Sequence, residues 1–131
     1  MKARESSIYR QLEHIDLWCA RVCAIIPKNV YLQEKGRLLA QYVSEAESCC
    51  ALALDMKDHN SRLDLINSVI FNMTNIKSIL KMFDEYSSSN PTHTRIISLK
   101  QRQDILERLA RVNSHIANWQ TATLKQVKTG V

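Results

Sequence analysis

The sequence predicts an all-α protein, an up-down-up-down antiparallel four-helix bundle, and three observations predict it. Helix breakers are scarce, with two glycines and two prolines in 131 residues, while Leu, Ile, Ala, Lys, Gln and Arg are plentiful. Apolar residues recur at steps of three and four in four separate stretches. The connections between these stretches are short, which obliges neighbouring helices to run antiparallel. The length fits one domain, residues 1–131, with enough chain to bury a single core.

The first helix is expected over roughly 6–26, from the stripe Ile8, Leu12, Ile15, Cys19, Val22 and Ile26. Pro27 ends it, since proline lacks the N–H a helix interior needs and restricts the residue before it. The second, roughly 31–57, carries Leu32, Leu39, Tyr42, Ala46, Cys49, Ala53 and Met56 inward. The turn-forming stretch Asp58-His59-Asn60-Ser61 precedes the third, roughly 61–86, whose stripe is Leu63, Ile66, Ile70, Met73, Ile76, Leu80 and Phe83. Ser87–Thr94 reads as a polar linker with Asn90-Pro91 as its turn signal. Ser98 and Gln101 then form a capping box that opens the fourth helix, roughly 98–123. Its stripe is Ile105, Leu109, Val112, Ile116 and Trp119, and the residues after Thr123 read as a frayed basic tail. Tyr9, Trp18, Tyr31, Leu38, Val43, Ile79 and Met82 fall beside these stripes. They either broaden the core faces or form a second face for another subunit, and an oligomer is expected.

The apolar run Leu17–Ile26 is split by Arg21, and Cys49–Leu54 is too short to cross a bilayer. Met1–Ser7 lacks the apolar stretch of a signal peptide, so a cytoplasmic chain with no membrane contact is expected. Cys19, Cys23, Cys49 and Cys50 all fall within expected helices, where reduced, packed thiols suit them better than disulfides.

Catalytic chemistry finds no foothold. The histidines, His14, His59, His93 and His115, lie in different segments, and no Glu-x-x-His pair exists for a di-iron bundle. Zinc ligands usually come as C-x2-C on a turn, whereas Cys19 and Cys23 are a helical turn apart and Cys49 and Cys50 are adjacent. With two glycines, one of them Gly130, no glycine-rich phosphate loop can form. A non-enzymatic protein without a cofactor is expected.

Charge is more informative. Acids and bases balance over residues 1–94, while residues 95–131 hold seven basic residues against Asp104 and Glu107, which is the whole formal surplus of +5. Arg108, Arg111 and His115 share a helix face by their spacing, as do Lys77 and Lys81 on the third helix. Such stripes are either ordinary solvated faces or platforms for phosphate backbones. Lys125 and Lys128 also complement the negative end of a helix dipole. No zinc finger, RNP signature or helix-turn-helix accompanies the charge, so any nucleic acid is expected to bind by charge and shape.

Four stretches carry a family resemblance over nearly the whole chain: Ile26-Pro27-Lys28 followed by Gly36-Arg37; Ile76-Lys77-Ser78-Ile79-Leu80-Lys81-Met82-Phe83; Ile97-Ser98-Leu99-Lys100-Gln101; and Val112-Asn113-Ser114-His115-Ile116-Ala117-Asn118-Trp119. In their order and spacing the chain resembles the accessory variability determinant (Avd) proteins of diversity-generating retroelements, small bundles of a broader four-helix family. The resemblance implies a barrel-shaped homopentamer with a basic outer surface. It also implies a non-enzymatic subunit that associates with the retroelement's reverse transcriptase and with RNA and RNA/DNA hybrid, supporting mutagenic copying of a template repeat. Lys77 and Lys81 fall where relatives carry a basic pair, and Trp119 matches a packing tryptophan. The chain departs from its relatives at Asn113, Ala117 and Asn118, where they tend to have glycine, and at Ser114 and His115, where some have arginine. The candidate contact residues for nucleic acid or polymerase are Arg21, Lys28, Lys77, Lys81, Arg108 and Arg111. The alternative is a structural oligomeric bundle without a nucleic-acid role.

Overall fold

The computed structural model describes residues 6–89 and 97–130, and over them the chain forms four helices and no strand. They are α1 (Ser7–Ile25), α2 (Val30–Asp55), α3 (His59–Ser89) and α4 (Leu99–Thr129). Each helix packs on its neighbours in sequence, and α4 closes the ring against α1, so α1 and α3 lie across one diagonal and α2 and α4 across the other. The α2–α3 contact is the most extensive. The bundle is antiparallel and up-down-up-down, as expected.

Local chemistry sets each boundary. Ser6 caps α1 by accepting from the Tyr9 amide at 3.3 Å, and Ile26 leaves the helix in extended geometry ahead of Pro27. Asn29 caps α2 through Leu32 N–H at 3.2 Å. Asp58 takes the corresponding place for α3, accepting from both the amide (2.9 Å) and the hydroxyl (2.7 Å) of Ser61. These two hydrogen bonds, the hydroxyl's first, hold the Asp58 carboxyl below its usual range. Arg62 folds back over the same turn and donates to the Met56 carbonyl through Nε and Nη2. Ser98 and Gln101 satisfy each other's backbone amides at 3.1 and 2.9 Å, which is the expected capping box.

Two boundaries depart from the sequence reading. α4 continues through Lys125 and Lys128 to Thr129, where Gly130 closes it with φ 69°, so the expected frayed tail is helix. The burial of Thr123 keeps that last stretch on the bundle. α3 likewise runs through Ser87 to Ser89; the rest of the expected linker, with Asn90-Pro91, lies outside the described residues.

The core follows the stripes, with drifts in α2 and α3; in α3, Val69 is buried where Ile70 was expected, and Ile70 and Leu63 are half-buried. Leu12, Ile15, Cys19 and Val22 from α1, Leu32, Leu39, Ala46 and Ala53 from α2, Ile66, Met73, Ile76 and Phe83 from α3, and Ile105, Leu109, Val112 and Ile116 from α4 are all buried. Each large aliphatic or aromatic side chain so placed contributes about 1.5–3 kcal/mol relative to exposure. In α2, Val43 and Cys50 take the inward positions expected for Tyr42 and Cys49, which are half-buried. A step of four after Leu39 keeps the stripe in register with a helix of 3.6 residues per turn, and the step of three places Tyr42 at its margin.

Gly36 lets α1 and α2 approach. A Cβ there would stand 2.9 Å from Ile26 Cδ1, and the Cys23 thiol donates to the Gly36 carbonyl at 3.5 Å. The opposite flank of α2 meets α3 through Asn29, whose amide donates to the Tyr86 hydroxyl at 3.4 Å, and through a stack of Tyr31 on Tyr86 with centroids 6.3 Å apart. Lys35 lies over the Tyr31 ring at 5.4 Å.

Of the seven residues beside the stripes, Val43 and Ile79 are buried, and Tyr9, Trp18, Leu38 and Met82 are half-buried against this chain's own core. Broad core faces account for these six, while Tyr31 is exposed beside Tyr86 and Lys35. The large apolar side chains that do face outward include Leu17, Ile25, Phe71, Leu99 and Leu106.

Candidate nucleic-acid and partner interface

All six candidate basic residues are exposed, and the fold sorts them into groups that their order in the chain does not show. Lys77 and Lys81, one turn apart, stand on the flank of α3 that faces α4. They edge a groove of about 200 Å3 whose floor is Leu80, Ile97, Ile105 and Leu106, with Asp84 and Arg102 at one end. Arg102 bridges the two helices with Nε 2.5 Å from Asp84 Oδ2, and Lys81 lies 3.9 Å from Glu85 along its own helix.

Arg108 and Arg111 belong to the other flank of α4. Arg111 is two and a half turns from Arg102, which places it on the opposite side of the helix from the α3 contact. The two arginines share a shallow polar depression with Asp104 and Glu107. This flank turns toward α1. The register that joins Cys23 to Gly36, Asn29 to Tyr86 and Asp84 to Arg102 sets Arg21 of α1 near the height of Arg108 and Arg111. Arg21 is exposed and a half-turn or so from the buried Leu12–Cys19 stripe, among His14 and Leu17 on the outer surface. Lys28 stands alone in the α1–α2 connection at the end of the bundle.

No family model, curated protein or solved structure matches this chain.

Arg102 and Leu106 were absent from the sequence expectation, although both line the groove. Arg102 carried only the general signal of a basic last quarter, and its partner Asp84 lies on another helix. Leu106 adjoins the core residue Ile105, but it is 41% exposed, and only the packing of α3 against α4 shows what it borders.

Burial disfavours the thiolate at all four cysteines. Burial raises the Cys50 thiol to about 12 and pushes Cys19 higher still, with the neighbouring cysteine adding to each. Burial also raises Cys23 and Cys49. Among the described residues, no three His, Cys, Asp or Glu side chains converge to hold a metal ion. No helix among them is long and apolar enough to cross a membrane.

Between α1 and α2 lies a different polar feature. The carboxyl of Glu47 is raised from 4.5 to about 8, by burial first, then by a hydrogen bond with Asp16 and by repulsion from Asp16 and Glu13. Glu47 Oε1 is enclosed and has no hydrogen-bond partner.

Proposed function

We propose that this chain is a non-enzymatic accessory subunit of a diversity-generating retroelement, working as a homo-oligomer in the cytoplasm. It binds the element's reverse transcriptase and its template RNA or RNA/DNA hybrid through a basic surface and supports mutagenic reverse transcription. The observation that carries the reading is that Arg108 and Arg111 share one solvent-open face of α4, with exposed Arg21 near their height on the adjacent α1. Phosphate backbones bind such surfaces by charge and counterion release, without a dedicated motif. The resemblance in the four stretches supplies the retroelement context. Outward-facing Leu17, Phe71 and Leu106 on three different helices suit a chain that buries further surface in an assembly.

The direct test is a pull-down of the neighbouring reverse transcriptase and of RNA at low and moderate salt. Arg108→Glu with Arg111→Glu should weaken RNA binding while helicity by circular dichroism is kept. Retention of neither partner by the wild-type chain would sink the reading in favour of a structural bundle. Asp104 and Glu107 beside the arginines are what favour that second reading, since they offset part of the charge. A reverse-transcriptase gene next to this one, with a variable and a template repeat, separates the two readings cheaply.

A further inference from the structure

The outer faces of α2 and α4, at opposite corners of the bundle, are charge complements of each other. Arg37 and Asp55 stand about five turns apart on α2, and Glu107 and Lys125 about five turns apart on α4, so each pair lies along one line of its helix. All four are exposed, on the side away from the core. Their signs run in opposite order, and their heights agree. Asn29 meets Tyr86 and Asp84 meets Arg102, which ties the starts of α2 and α4 to one end of the bundle. Arg62 reaches both Met56 and Gln126, which ties their far ends together. The two helices therefore run the same way and in step, with Arg37 level with Glu107 and Asp55 level with Lys125. The same levels set Val30, 88% exposed, with Leu99, and Leu52 with Leu124, all of them outward-facing. Between the charges, Gln41, Ser44 and Ser48 on α2 and Ala110, Ser114 and Thr121 on α4 are exposed and uncharged. Helices with such surfaces can approach closely. The full set of exposed charges agrees with the four: α2 shows Glu34, Glu45 and Asp55 against Arg37, and α4 shows six basic residues against Asp104 and Glu107. Two copies docked α4 to α4, or α2 to α2, would set like charge against like, whereas α2 to α4 sets opposites together.

We propose that the outer face of α2 is the docking surface for the outer face of α4 of a second copy of this chain. Across the contact Arg37 meets Glu107, Asp55 meets Lys125, and Val30 and Leu52 cover Leu99 and Leu124. Glu34 occupies Nε and Nη2 of Arg37, which leaves Nη1 to donate to Glu107. The two surfaces differ, so the contact runs head to tail and every copy offers both halves of it. The proposal rests on the function given above for the existence of a homo-oligomer and adds which faces build it. Glu107 drawn to the next copy's α2 also leaves Arg108 and Arg111 with one acid fewer beside them.

Charge exchange on the full chain, read by sedimentation velocity, tests it. Arg37→Glu with Asp55→Lys reverses the α2 line, and Glu107→Arg with Lys125→Glu reverses the α4 line. Each double variant should weaken self-association about tenfold or more, with helicity by circular dichroism kept. The quadruple variant, and an equimolar mixture of the two doubles, should recover it, because opposite charges then meet again. Indifference to both doubles, loss without recovery in the quadruple variant and the mixture, or a wild type that sediments as a monomer would overturn the proposal. Pull-down of the reverse transcriptase and RNA by the wild type separates the two claims. A chain that assembles through these faces yet retains neither partner defeats the retroelement reading and leaves the interface standing. One that retains them while the exchanges leave its assembly unchanged defeats the interface alone.

Discussion

Glu47 shows how one side chain can make the stability of the bundle depend on pH. Between 4.5 and about 8 the folded chain holds a proton on Glu47 that the unfolded chain has released. Stability therefore falls as pH rises through that window, and the loss is complete above it. Thermal unfolding should show a melting temperature that declines from pH 5 to pH 8, and Glu47→Gln should flatten the decline and raise the value at pH 8. A wild-type chain equally stable across the window would refute the raised Glu47 carboxyl. Gly36 gives a second residue-scale expectation. An alanine there gains about 1 kcal/mol of helix propensity, and the atom it crowds, Ile26 Cδ1, is the tip of a half-buried side chain that can rotate away. Denaturant unfolding should find Gly36→Ala neutral to mildly stabilising, whereas Gly36→Leu, which wedges α1 from α2, should cost about 1–3 kcal/mol.

Single helices are where the sequence was most readable, and the reason is physical. Stripes at steps of three and four, a proline after Ile26 and a Ser98/Gln101 box are local signals, so three-dimensional context had little to overturn. Removing the box by Ser98→Ala should lower stability by about 1 kcal/mol, which is a fall in melting temperature of about 3–5 °C for a chain of this size. The end of α4 misread because lysines and a lone glycine look the same in a frayed tail as in a capped last turn; only buried Thr123 tells them apart. The candidate site was legible as a set of charges and illegible as a surface. Spacing places Lys77 with Lys81 and Arg108 with Arg111, but not the two pairs relative to each other; the fold sets them on opposite flanks of α4, one beside α3 and the other away from it. Which flank a residue joins depends on the order of helices around the ring, and no local pattern encodes it.

For the molecule as a whole, the division of charge predicts how binding responds to salt. If Arg108 and Arg111 each neutralise one phosphate of single-stranded RNA, Arg108→Gln plus Arg111→Gln should reduce the slope of log affinity against log salt by about 1.4. The Lys77→Gln plus Lys81→Gln variant should leave that slope nearly unchanged, and equal losses from both pairs would mean that RNA covers the whole of α4. The ring of helices has a further consequence. α1 is the shortest helix, with 19 residues against 31 in α3 and α4, and α4 and α2 hold it less extensively than α2 and α3 hold each other. Amide hydrogens of α1 should thus exchange with solvent before those of α2 and α3. Arg21 sits on this short helix and Arg108 and Arg111 on its neighbour, so a polyanion spanning them would act as a clasp across the seam. Slowed exchange in α1 would then report occupancy directly, on the unlabelled protein.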